Sequence, residues 1–193
     1  VLHLSPAHHF PTGLVTPLHR RRALIDWAQR VDGYIIEDDY DTEFRFQGRP
    51  LAPMQTMDPE RVIYMNTFSK TLSPSIRISY MVLPQALMAR FREKLGFYGC
   101  TVPSFEQYTL AYFLDRGYFE KHINRMRIRY KQKKDLILKE MKRCGLLKLA
   151  KIDAEDAGLH FLLRVCGPVP AEKITRRAAE NGVRVTGLSA YYH

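Results

Sequence analysis

The chain has 193 residues, of which 46% are hydrophobic, enough for one folded domain or one and a fraction. It has no run of about 18 apolar residues and no basic start followed by an apolar core, so we expect neither a membrane span nor a signal peptide. The net charge of +10 arises in residues 121–151, which hold 12 Lys and Arg against 2 acids; we expect a solvated helix face there, with a nucleic-acid contact as the alternative.

The chain opens with a short apolar strand over residues 1–4 and a loop over residues 5–13 that contains proline and glycine. Thr16-Pro17 is typical of a helix start, and we predict that this helix runs to about Val31. Trp27 is expected in its packed face. The three consecutive arginines at 20–22 are expected to form a solvated patch, with a contact to a partner subunit or DNA as the alternative.

Two buried strands are predicted next, over residues 33–38 and 61–66. Both runs are short and apolar on both faces, which is typical of parallel strands. The segment 44–59 between them is rich in glycine and proline and is expected to be a long irregular connection. A further strand over residues 78–84 and a helix over residues 85–95 follow.

The second half is mainly helical from Ser104 onward. A stripe of apolar side chains at helical spacing predicts one long helix over residues 118–143, ended by Gly145. A strand over 159–165, a helix over 171–180 and a strand over 183–185 then indicate a βαβ-like unit in a second, smaller domain. The alternation of strands and helices predicts an α/β fold with a mostly parallel sheet.

Three cysteines, Cys100, Cys144 and Cys166, are scattered along the chain without the spacing of a metal or redox site. We therefore expect free thiols in a reducing cytoplasm and predict no metal site.

Two polar segments lie where predicted strands end. Asp38 follows the apolar pair Ile35-Ile36, and Lys70 follows the run over residues 61–66. Because ligands bind at the carboxyl ends of parallel strands, we expect both side chains at the same, functional edge of the sheet. Either residue alone is weak evidence, since such acids are more often surface turns and such lysines usually have no special role.

The residues around this pair have the chemistry needed to hold pyridoxal phosphate (PLP). A lysine forms a Schiff base with the cofactor, a carboxylate faces the ring nitrogen, and a phenol reaches the ring hydroxyl. Tyr40 supplies a phenol near Asp38. Two hydroxyls and a guanidinium near Lys70, from Thr67, Ser69 and Arg77, form a plausible phosphate cradle.

These segments resemble a known family. The run Tyr34-Ile-Ile-Glu-Asp-Asp-Tyr-Asp-Thr-Glu-Phe-Arg-Phe46, the run Asn66-Thr-Phe-Ser-Lys-Thr-Leu-Ser-Pro-Ser-Ile-Arg77 and the loop Ser5-Pro-Ala-His-His-Phe-Pro-Thr-Gly13 are similar to the aminotransferase-like domain of MocR-group, GntR-type bacterial regulators. The similarity is dense over residues 1–84 and continues to about residue 165, including Gly158-Leu-His-Phe161.

The resemblance implies the fold of a fold-type I, class I/II PLP-dependent transferase. Residues 1–117 would be part of the PLP-binding large domain, 118–145 a connecting helix and 146–193 part of the small α+β domain. Lys70 would form the internal aldimine, Asp38 would pair with the pyridine nitrogen, and Tyr40 would bind the ring hydroxyl. The phosphate would be held by Thr67, Ser69 and Arg77.

The resemblance also implies parts outside this chain. A DNA-binding winged helix and the loop that helps hold phosphate would precede Val1, and an arginine that binds a substrate carboxylate would follow His193. A homodimer is expected on the same ground. One departure lies at His9, where the family commonly has glutamine.

Two functions remain open at this level. The first is a regulator domain that binds PLP and senses an amine or amino acid, with DNA bound through the N-terminal domain. The second is a stand-alone aminotransferase, in which Lys70 would also move the proton between substrate and cofactor. The same site residues serve both. A third possibility is that these 193 residues, taken alone, do not bind the cofactor.

Overall fold

A computed structural model describes residues 1–46, 51–153 and 158–192 of the chain. The predicted irregular connection over 44–59 therefore lies partly outside the described residues, with Gly48 and Pro50 among those not described. No helix in the described part is long and apolar enough to cross a lipid bilayer.

The main sheet has four strands in the order in which they occur along the chain. The first three, β1 to β3, are parallel to one another, and β4 is antiparallel to β3. The predicted mostly parallel sheet is therefore present. The strands are β1 (Leu2–Leu4), β2 (Ile35–Asp38), β3 (Val62–Thr67) and β4 (Ser79–Val82).

Within the described residues, six α-helices accompany the strands. The predicted helices over 85–95, 118–143 and 171–180 are found with those bounds. A Pro or Gly stands immediately before the first residue of each helix and marks where it begins. The helices are α1 (Leu18–Arg30), α2 (Phe68–Thr71), α3 (Gln85–Leu95), α4 (Ser104–Asp115), α5 (Tyr118–Arg143) and α6 (Ala171–Glu180).

The second sheet differs from the prediction. It consists of β5 (Ala150–Asp153) and β6 (Leu162–Val165), which pair antiparallel, so the predicted βαβ-like unit is wrong. Residues 183–187 form no strand: Val183 and Val185 are exposed, and no described strand pairs with them. Their alternation of apolar and polar residues indicates a strand only where a neighbouring strand can accept its hydrogen bonds.

The core lies between α1 and one face of the main sheet. Ile25 and Ala28 of α1 pack with Ile35 and Val62 of the strands and with Met54, and Trp27 covers them as predicted. Because successive strand residues point to opposite faces, Ile35 and Val62 lie on the α1 side of the sheet.

Arg21 corrects the expectation of a solvated arginine patch, because it is only 2% exposed. Its guanidinium donates to three backbone carbonyls, those of Pro6, Thr16 and Ala52, each at 2.9 Å. Burial lowers its pKa, and the carboxylates of Glu37 and Asp39 oppose that effect. The side chain thereby fixes the loop that follows β1.

Candidate functional site

The sheet topology brings the polar segments to one edge. Asp38 is in register with Met65, and Thr67 is in register with Ser79 at the start of β4. The carboxyl ends of three parallel strands and the beginning of the antiparallel fourth therefore meet there. At this edge lie the loop after β1, residues 38–41, α2 with Lys70, and Arg77.

Lys70 lies on α2, a single helical turn directly after β3. Thr67 caps this turn, since its hydroxyl oxygen accepts a hydrogen bond from the Ser69 N–H at 3.1 Å. The same hydroxyl donates to the Ile78 carbonyl at 3.2 Å, which attaches the turn to the segment before β4. The Lys70 side chain is exposed, and within the described residues it forms no salt bridge.

Asp38 ends β2 with a carboxylate that is 36% exposed, and its Oδ2 lies 3.4 Å from Nε2 of His3. In the strand alternation it lies on the face opposite Ile35 and Glu37, away from the core. The carboxylate is thus accessible at the open side of the sheet edge. Its charge also contributes to raising the pKa of the Tyr40 hydroxyl.

Tyr40 is partly buried two residues further on, and its hydroxyl oxygen lies 3.3 Å from Nδ1 of His8. Burial raises the pKa of this phenol, and the negative charges of Asp41 and Asp38 raise it further. The hydroxyl therefore stays protonated at neutral pH and can act as a hydrogen-bond donor.

Arg77 is exposed and lies in the left-handed backbone region, with φ of 50°. This conformation costs a residue with a side chain about 1–2 kcal/mol, and such strained positions are common at functional sites. The backbone on its C-terminal side is held by the Phe68 N–H, which donates to the Ile78 carbonyl at 2.9 Å. The sequence pattern contains no signal for this strain.

Three other acids of the Glu37–Glu43 segment, Glu37, Asp39 and Glu43, are buried or partly buried. Glu37 accepts hydrogen bonds from the backbone N–H groups of Met54 and Gln55, at 2.8 and 2.9 Å. Asp39 accepts one from the Tyr64 hydroxyl at 2.9 Å. Burial raises the pKa of Glu37, Asp39 and Glu43 alike. These three acids hold the polypeptide in place behind the site.

A cavity of about 460 Å³ lies beside α2. Its wall combines polar groups of Glu43 and Asn66 with apolar side chains of α2, α4 and α5, including Phe68, Leu110 and Phe119. Near this cavity, the guanidinium of Arg127 on α5 donates two hydrogen bonds to the Glu43 carbonyl, at 3.0 and 2.9 Å. The long helix is thereby attached to the segment that carries Asp38 and Tyr40.

Sequence reasoning assigned no role to a buried group next to Tyr40. His8 Nδ1 lies 2.9 Å from Oδ2 of Asp41, and the rings of His8 and His160 are 4.3 Å apart. Ligand atoms of the three residues lie within 4.8 Å of one another, a spacing that reflects the hydrogen bond between His8 and Asp41 together with the packing of the His160 ring on His8. All three residues belong to the motifs quoted above. Nothing in the sequence indicates that Asp41 lies next to His8, 33 residues before it, or next to His160, 119 residues after it.

The charge of Lys70 contributes to the pKa of His160, one member of this buried group. Burial lowers the pKa of His160 and the charge of Lys70 adds to that effect, whereas the negative charge of Asp41 opposes it. The exposed His9, by contrast, lies 2.8 Å from the Thr12 hydroxyl through its Nδ1, a contact within its own loop.

Comparison with known proteins identifies relatives of the whole chain. Residues 1–192 match the family described as "Aminotransferase class I and II". The chain is 40% identical over its full length to an uncharacterised HTH-type transcriptional regulator, YhdI of Bacillus subtilis, and 35% identical to the probable rhizopine catabolism regulatory protein MocR of Rhizobium meliloti. The expected similarity to MocR-group regulators is thereby confirmed.

The fold is also that of solved aminotransferases. LysN, the α-aminoadipate aminotransferase of Thermus thermophilus in complex with N-(5'-phosphopyridoxyl)-L-leucine, superposes with a TM-score of 0.77 at 28% identity over 95% of this chain. The predicted α/β fold class is confirmed. The chain covers 48% of LysN, 41% of YhdI and 39% of MocR, and so spans less than half of each.

Proposed function

Because the chain belongs to the aminotransferase class I and II family, we propose that it forms part of a PLP-binding effector domain of a bacterial transcription regulator, with Lys70 as the Schiff-base lysine. The observation that carries the proposal is the meeting of Asp38, Tyr40, Lys70 and Arg77 at one sheet edge. The bound cofactor supplies an aldehyde that condenses with amines and a ring that withdraws electrons from the condensed group.

The donor set fits PLP group by group. The accessible Asp38 carboxylate stabilises a proton on the ring nitrogen, because an adjacent negative charge raises the pKa of that nitrogen. The protonated Tyr40 phenol donates to the ring hydroxyl oxygen. Lys70, on a turn anchored at Thr67 and Ile78, presents its amine at the open edge.

The phosphate is assigned to Thr67, Ser69 and Arg77. A phosphate dianion needs donors, and the guanidinium is the strongest donor of the three. Thr67 would offer a second donor, because rotation of its hydroxyl would redirect the proton from the Ile78 carbonyl to a phosphate oxygen.

Replacing Arg77 separates its two properties. Arg77→Gly is expected to weaken PLP binding about 10-fold, because a charged hydrogen bond of about 1.4 kcal/mol is lost. The same change is expected to stabilise the fold by about 1 kcal/mol, because glycine adopts the left-handed backbone without strain. Arg77→Ala removes the same guanidinium but keeps the strain, so it should bind PLP equally weakly without the gain in stability. Fluorescence titration and thermal unfolding measure both effects. Unchanged PLP affinity in both variants would remove Arg77 from the phosphate site.

The regulatory part of the proposal has its support in the relatives. YhdI and MocR are named as transcriptional or catabolism regulators, and they are more than twice as long as this chain. The protein would bind DNA through an N-terminal domain, act as a homodimer in the cytoplasm, and respond to an amine or amino acid that condenses with the cofactor.

A stand-alone aminotransferase is the second candidate, and the likeness to LysN favours it. In that case Lys70 would hold the cofactor and would also act as the base that moves a proton during the reaction. The regulator is preferred because the relatives with 35–40% identity are regulators, whereas LysN is 28% identical.

Borohydride reduction of the full-length protein tests the proposal directly. Reduction converts a Schiff base into a stable secondary amine, so peptide mapping is expected to find a phosphopyridoxyl group on Lys70. An unlabelled Lys70 in protein saturated with PLP would overturn the PLP assignment. Incubation with amino acids then separates the two candidates: sustained keto-acid release at catalytic rates would favour the aminotransferase over the regulator.

A further inference from the structure

A buried pair of titratable side chains lies directly behind Tyr40. His8 and Asp41 are each 2% exposed, and His8 Nδ1 lies 2.9 and 3.1 Å from the two carboxylate oxygens of Asp41. Oδ2 of Asp41 also accepts a hydrogen bond from the Leu159 N–H at 3.2 Å. The carboxylate thus accepts hydrogen bonds from two different segments of the chain.

The carboxylate determines which nitrogen of His8 carries a proton. An ionised carboxylate can only accept hydrogen bonds, so the nitrogen that faces it, Nδ1, must be the N–H of the ring. Nε2 is buried and has no hydrogen-bond partner in the described residues, which leaves it without an acceptor for a second proton. Carboxylates that orient an imidazole in this way are a common means of fixing its tautomer.

This tautomer has a consequence for Tyr40. The phenol oxygen lies 3.3 Å from the same Nδ1, so it faces an N–H group and not a lone pair. Tyr40 therefore cannot donate its own proton to His8. Its O–H is left for a different acceptor, such as a ligand bound at the sheet edge that carries Asp38 and Lys70.

Two further groups complete the surroundings of His8. The ring of His160 packs against it at 4.3 Å, and burial of His160 lowers its pKa, with a smaller contribution from the charge of Lys70. Gly158, immediately before Leu159, leaves no space for a side chain: a Cβ there would overlap the His8 ring. His8, which lies in the loop after β1, is thus contacted by the segment after β2 and by the segment before β6.

We propose that His8 and Asp41 are positioning residues that hold the Tyr40 phenol as a hydrogen-bond donor to the ring hydroxyl oxygen of PLP. The direction of donation runs from His8 to both Asp41 and Tyr40, and from Tyr40 to the cofactor. This inference rests on the proposed function, because Tyr40 needs a bound cofactor to act upon.

The test is a pH titration of the full-length protein with the cofactor on Lys70, followed by the visible absorbance of the cofactor. A donor to the ring oxygen stabilises its negative charge and so lowers the pH midpoint at which the neighbouring nitrogen loses its proton. Tyr40→Phe is expected to raise this midpoint by about one pH unit. His8→Phe should raise it in the same direction, and the double variant should shift it no further than Tyr40→Phe alone.

His8→Asn is the conservative variant, because its amide N–H can take the place of Nδ1–H toward both Asp41 and Tyr40; the midpoint should stay near the wild-type value. His19→Phe, an exposed histidine of α1, controls for loss of an imidazole elsewhere. If His8→Phe does not fold because Asp41 loses its side-chain donor and keeps only the Leu159 N–H, Asp41→Asn removes the buried charge and should shift the midpoint in the same direction.

The outcomes are separable from those of the proposed function. Absence of any visible cofactor band in the wild-type protein would defeat the PLP assignment itself. A normal band whose midpoint moves in Tyr40→Phe but not in His8→Phe or Asp41→Asn would overturn the positioning role alone and leave the pair as a packing element. An unmoved midpoint in Tyr40→Phe would overturn it as well.

Discussion

Lys70→Ala is expected to abolish the borohydride-stable attachment of PLP and to weaken its binding about 100-fold, which corresponds to about 2.7 kcal/mol. The covalent link is lost, whereas Asp38, Tyr40 and the phosphate contacts remain available for non-covalent binding. Equilibrium dialysis of the full-length protein measures the affinity, and mass spectrometry after reduction measures the attachment. The fold should be unaffected, since Lys70 is exposed on a single turn.

Two variants make this result specific. Lys70→Arg keeps a positive charge beside His160 but cannot condense with an aldehyde, so it should lose the attachment as completely as Lys70→Ala. Lys94→Ala, which removes an exposed lysine of α3, should retain both attachment and affinity. Persistent reduction-stable label in Lys70→Ala would assign the Schiff base to another lysine.

Gly158→Ala is expected to destabilise the fold by about 3 kcal/mol. The backbone at Gly158 has φ of 73°, which disfavours any residue with a side chain, and an added Cβ would overlap the His8 ring and lie 2.7 Å from Oδ2 of Asp41. Neither His8 nor Asp41 can move away without breaking a buried hydrogen bond. Urea unfolding of the full-length protein measures the change.

Gly182 provides a matched control, because its φ of 76° is nearly the same and, among the described residues beyond its two chain neighbours, no atom lies within 4 Å of the position of a Cβ. Gly182→Ala should therefore cost only the backbone contribution, about 1 kcal/mol. Equal losses in the two variants would mean that the packing against His8 and Asp41 contributes nothing to stability.

The local elements were predictable where the sequence carries its own signals. The bounds of α5 follow from Gly117 before it and from the apolar stripe along it, and those of α3 follow from Pro84. The predicted strand over 183–185 was wrong because a strand needs a partner for its backbone hydrogen bonds, and no partner is apparent from the sequence of the strand itself. For the same reason the antiparallel pairing of β5 with β6 was not predicted.

The arginine triplet illustrates a second limit. Arg20, Arg21 and Arg22 are alike in sequence, yet only Arg21 turns inward to three carbonyl acceptors. Those acceptors belong to segments up to 31 residues away, so their arrangement exists only once α1 has packed on the sheet. Burial of an arginine depends on such acceptors and cannot be derived from the charge itself.

By itself, the sequence determined the α/β class, the family resemblance and the candidate residues Asp38, Tyr40, Thr67, Ser69, Lys70 and Arg77, because each depends on residue type and on position at the end of an apolar run. Only the tertiary structure decided that Arg77 takes a left-handed backbone and that His8, Asp41 and Gly158 meet behind Tyr40. The physical reason is that hydrogen bonds and close packing depend on distance in space, whereas the sequence specifies only separation along the chain.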